Sequence, residues 1–122
     1  MLKAGPVWDF DWTTYRMSMV TTYIARRGLY YPQLFEDPVF VSKVKERWIK
    51  FKPLFDEIAD VITKEGERLT RSVELDDEMW ELKNYENYNE DNMLSYIEAV
   101  DKMRTFYLNR LSWLDMQIMN MR

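Results

Sequence analysis

The chain has 122 residues, enough for one domain or part of one, and at 47% hydrophobic and 31% charged it belongs with sequences that fold. It contains no His and no Cys, which excludes imidazole acid–base chemistry, a Ser-His-Asp triad, thiolate nucleophiles, zinc–thiolate centres and disulfides. A net charge of −4, with no basic tract longer than Arg26-Arg27, argues against nucleic acid as a partner. No apolar run approaches the length of a membrane span. The start, Met1-Leu2-Lys3-Ala4-Gly5-Pro6, lacks the apolar centre of a signal peptide. Five Trp, eight Tyr and nine Met promise large, adaptable packing surfaces.

Residues 7–12 read Val-Trp-Asp-Phe-Asp-Trp. Trp8, Phe10 and Trp12 alternate with Asp9 and Asp11, the period of a strand with rings on one face and both carboxylates on the other. Two carboxylates so close repel unless a cation or donor sits between them, and hard oxygen ligands at this spacing suit Mg²⁺ or Mn²⁺ beside a phosphate. A solvated strand face is the plain alternative. A single strand needs a partner for its backbone groups, either residues near 18–25 or another chain. Residues 13–25 are β-branched and mixed, and Arg26-Arg27-Gly28 suits a turn.

From Asp37 onward the periodicity is helical. Asp37 suits an N-cap and Pro38 the first helical position. Phe40, Val41, Val44, Trp48 and Phe51 fall on one face, and Pro53 predicts a helix end near Phe51 or Lys52. A second helix is expected from about Leu54, with a stripe of Leu54, Phe55, Ile58, Val61, Ile62 and Leu69, weakened by Gly66. Residues 72–89 are less regular: Asp76-Asp77-Glu78 opens a short helix carrying Met79, Trp80 and Leu82, and Asn84, Asn87 and Asn89 mark a polar loop. Glu90-Asp91-Asn92 is expected to open the longest helix, ending near Met119. Its stripe is Met93, Ile97, Val100, Tyr107, Leu111, Leu114 and Ile118, widened by Phe106 and Trp113, with Arg104 on the seam. The expected fold is mainly α: a short N-terminal β segment followed by three or four packed helices.

Most marked residues have a structural explanation. Trp48, Trp80 and Trp113 sit at helical spacing among apolar residues and are expected in the core. Arg110 and Asp115 suit stabilising contacts to another element. The acidic run at 76–78 lacks the glycine and spacing of a calcium loop.

Three blocks, in order, resemble the spore-coat-protein-H (CotH) kinase-like family: Gly5-Pro6-Val7-Trp8-Asp9-Phe10-Asp11, then Leu34 to Phe40 with Val44-Lys45-Glu46-Arg47-Trp48, then Asn109 to Asp115. The resemblance implies a secreted or spore- or cell-surface-associated atypical protein kinase. In it Asp9 and Asp11 would hold Mg²⁺ against ATP phosphates. Family members carry a Gly soon after the paired aspartates, whereas here Trp12-Thr13-Thr14-Tyr15 follows and the next Gly is Gly28. The phosphate-covering loop, the phosphate-pairing Lys and the catalytic Asp lie upstream of that motif in the family. The expectation is therefore that residues 1–122 are a single partial domain, the C-terminal portion of an atypical kinase-like fold, inactive without a nucleotide-binding half. The alternative is a stand-alone helical interaction module that uses Trp8, Phe10 and Trp12 for a partner or for self-association. A hydrolase built on the two carboxylates is the weakest reading, because no basic phosphate clamp stands beside them.

Overall fold

The computed structural model describes residues 19–23, 26, 28, 31–80 and 94–122, and among these it contains three helices and no strand. They are α1 (Tyr31–Leu34), α2 (Pro38–Trp80) and α3 (Tyr96–Met119). The mainly helical, packed architecture is as expected. The expected strand at residues 7–12 lies outside the described residues. Residues 19–23, considered as its pairing partner, make a turn instead, with the Thr22 N–H donating to the Met19 carbonyl at 3.2 Å.

The start of α2 follows its sequence signals. The Asp37 carboxylate accepts from the Val39 N–H at 2.8 Å, and Pro38 occupies the first turn, where its missing N–H costs nothing. The rest of α2 corrects the sequence reading. Instead of ending before Pro53 and restarting at Leu54, one helix of 43 residues runs through Pro53 and on to Trp80. An interior proline costs about 3 kcal/mol. Contacts on both sides of it offset that cost. Trp48 and Phe55 stack across it with ring centroids 5.6 Å apart. The Trp48 indole N–H donates to Asp115 of α3 at 2.6 Å, and the Tyr107 hydroxyl donates to the Phe55 carbonyl at 2.6 Å. Lys52 and Asp56 pair at 2.8 Å one turn apart.

The expected short helix opening at Asp76 is likewise the last stretch of α2, and no irregular segment intervenes over 72–80. Pairs at i and i+3, Glu65–Arg68 at 2.6 Å and Arg71–Glu74 at 3.0 Å, support this stretch locally.

Helix α3 starts later than expected. Ser95 is its N-cap, so the helix begins at Tyr96 and not at Glu90-Asp91-Asn92, which lie outside the described residues. The Ser95 hydroxyl faces the Glu98 N–H, and the Glu98 carboxylate accepts from the Ser95 N–H at 2.7 Å, a complete capping box. Its end at Met119 matches the expectation.

The two long helices pack antiparallel. Lys45 donates to the Met121 carbonyl at 2.7 Å, Trp48 meets Asp115, Phe55 meets Tyr107, and the Tyr96 hydroxyl donates to the Gly66 carbonyl at 2.9 Å. Gly66 is buried against α3. A Cβ there would lie 2.7 Å from Val100 Cγ1. The glycine read as a weak point in a helix is thus the residue that lets α3 approach.

One cluster joins Phe35, Val41, Ile118 and Met121, with Tyr23, Phe40, Val44 and Trp48 packed around it. Phe35 anchors it through edge-on contacts to Tyr23 and Phe40. Ala59, Phe106 and Leu111 are also buried. No described side chain is fully buried, as suits a hairpin of two long helices.

Candidate functional site

The periodic stripe at the start of α2 is only partly covered by α3. Tyr23, Phe40, Val44, Trp48, Phe51, Phe55, Leu114 and Ile118 line an open groove of about 480 Å³, and Lys43 and Arg47 stand on its edge. Lys43 and Arg47 lie one turn apart, which puts both cations on the same side.

The groove wall is held from two directions. Asp115 fixes the Trp48 indole. Arg110 donates to the Met19 carbonyl at 3.2 Å and the Val20 carbonyl at 2.7 Å, so the segment carrying Tyr23 is tied to α3. The Arg110 guanidinium also lies 5.2 Å from the Trp113 ring centre. The expected role of Arg110 and Asp115 as structural contacts holds, although their partners are backbone carbonyls and an indole, not an opposing charge. Trp48 and Trp113 are half-buried. Trp80, expected in the core, is 63% exposed at the end of α2.

Burial pushes the Tyr23 hydroxyl up, opposed by the charges of Arg26 and Arg110. Burial also raises Tyr107, helped by Asp56. The hydrogen bond from Lys52 to Asp56 raises the lysine. Burial lowers the Arg110 guanidinium, opposed by the charge of Tyr23. A second hollow of about 430 Å³, lined by Asp60, Thr63, Lys64, Glu67, Asp101 and Arg104, mixes both charge signs. The seam position expected for Arg104 places it there.

Asp9 and Asp11, the expected Mg²⁺ ligands, lie outside the described residues, as do Trp8, Phe10 and Trp12. Among the described residues no group of three or more carboxylates is placed to hold a metal ion. The described helices include none long and apolar enough to cross a membrane. Comparison with protein-family models, with curated proteins and with solved structures finds no match for this chain.

The sequence names most groove residues as apolar helix faces and expects Trp48 in the core, but does not show that the α2 stripe stays open. Tyr23 and Phe35 were missed because they sit outside any periodic run. Met121 was missed because it follows the last helical turn. The aromatic character of Tyr23 and Phe35 beside a helix start was the available signal.

Proposed function

We propose that this chain is a helical protein-interaction module whose groove accepts an aromatic, acidic segment of a partner protein. The observation that carries the reading is the open apolar groove along α2 with Lys43 and Arg47 on its edge. Rings would fill the apolar floor and carboxylates would meet the two cations. The test is calorimetric titration with peptides that alternate aromatic and acidic residues. Binding is expected in the micromolar range, lost in a Lys43→Glu, Arg47→Glu double variant. Equal affinity for aromatic–basic peptides would sink the idea.

A more specific form rests on the order of the three sequence blocks. In it the chain is the C-terminal fragment of a CotH-like atypical protein kinase, the partner is the nucleotide-binding half, and Asp9 and Asp11 bring Mg²⁺ to ATP. The isolated chain is then inactive and binds Mg²⁺–ATP weakly or not at all. Calorimetry with Mg²⁺–ATP decides this, since tight binding by the chain alone contradicts it. In the other form, Trp8, Phe10 and Trp12 supply the contact surface. Trp8→Ala then abolishes partner binding, while Asp9→Ala and Asp11→Ala leave it intact.

A further inference from the structure

Past Pro53, α2 carries a second seam that α3 does not cover. Leu54, Ile58, Val61, Glu65, Arg68, Ser72, Leu75 and Met79 follow one another at alternating spacings of four and three, the repeat of a coiled-coil face. Ala59 and Gly66 mark the different face that is buried against α3. Along the seam the apolar side chains are open to solvent, from Ile58 at 37% to Met79 at 70% exposed. Interior apolar positions at this spacing normally face another helix.

We propose that the occupant is a second copy of this chain, its α2 packed antiparallel on the same seam about a two-fold axis between Gly66 and Glu67. The chemistry of the seam is self-complementary about that point. Leu54 meets Met79 of the other copy, Ile58 meets Leu75, Val61 meets Ser72, and Glu65 meets Arg68. A two-fold axis makes each of these layers occur twice, as an isologous contact requires.

Within the seam the charges favour this arrangement over a parallel one. Glu65 and Arg68 are already paired at 2.6 Å within one helix, and the antiparallel register sets a Glu65–Arg68 pair against its inverted image. A parallel pairing would stack Glu65 on Glu65 and Arg68 on Arg68, placing like charges in the seam. On one flank the antiparallel register brings Lys64 near Arg71 and Glu57 near Glu78. These positions are solvated, and each such contact costs only tenths of a kcal/mol. The expected dimer is therefore weak, in the micromolar range. None of the eight seam residues lines the groove, so the dimer does not depend on the partner-binding reading.

The experiment is sedimentation equilibrium of the full chain from micromolar to sub-millimolar concentration. The wild type is expected to pass from monomer to dimer. Glu65→Arg sets Arg against Arg and weakens the dimer about tenfold or more, while the double variant Glu65→Arg, Arg68→Glu restores it. Circular dichroism verifies that the variants stay helical. The chain has no cysteine, so register can be read by cross-linking. Leu54→Cys mixed with Met79→Cys should form the mixed disulfide in preference to either self-disulfide. A wild type that stays monomeric, a dimer indifferent to Glu65→Arg, or preferential self-linking of Leu54→Cys each overturns the proposal.

Discussion

Two residues, Trp48 and Gly66, concentrate contacts that make a hairpin out of two helices, and a third, Glu98, closes the start of α3. The Trp48 indole N–H reaches the Asp115 carboxylate at 2.6 Å, a charge-assisted bond between half-buried groups. Trp48→Phe keeps the ring but strands the carboxylate, and should cost about 1–3 kcal/mol by urea denaturation. At Gly66 two effects oppose. Alanine is the better helix former by about 1 kcal/mol. Its Cβ, however, would meet the β-branched Val100 at 2.7 Å, and a stiff side chain cannot swing aside cheaply. Gly66→Ala alone should therefore destabilise the protein, whereas Gly66→Ala with Val100→Ala should recover most of the loss. Glu98 gives a pH dependence. The Ser95 hydroxyl, and then the Ser95 N–H, hold its carboxyl below the ordinary value. Its contribution is present above the unfolded-state value and is lost as pH falls through the lowered folded one. Glu98→Gln should flatten the acid limb of a stability–pH curve measured by urea denaturation by lowering the neutral region, and leave the acid end nearly unchanged.

At the scale of elements, local chemistry marked some boundaries and tertiary contacts overrode others. Asp37-Pro38 announced the start of α2, and the observed cap is the one the residues suggest. Ser95 and Glu98 carried an equally clear capping signal, which the more acidic run at 90–92 obscured. Pro53 misled because propensity prices the lost hydrogen bond but not the Trp48–Phe55 stack and the Tyr107 bond that span it. Pro53→Ala keeps those contacts and restores the missing donor. It should raise stability by about 1–3 kcal/mol and increase helical ellipticity. The groove was legible only as a stripe. Periodicity names the apolar face of a helix but says nothing about how much of that face another helix will cover. Asp9 and Asp11 belong to a different class. Their reading rests on alternation and resemblance, and the described residues neither add to it nor subtract from it.

For the whole molecule the governing fact is a mismatch of lengths. At about 1.5 Å per residue, the 43 residues of α2 make a rod of roughly 64 Å, against about 36 Å for the 24 residues of α3. The two start level near Met121 and part near Gly66, where Tyr96 makes its bond to α2. Beyond that point α2 continues for 14 residues, from Glu67 to Trp80, a length at which an isolated helix is marginal in water. Amide exchange with heavy water should accordingly change along one unbroken helix, slow from Val41 to Gly66 and fast from there to Trp80. Those last turns hold half of the self-complementary seam, so association would slow their exchange as the protein is concentrated. A single helix would then report its own tertiary support and its quaternary state at opposite ends, each as a rate.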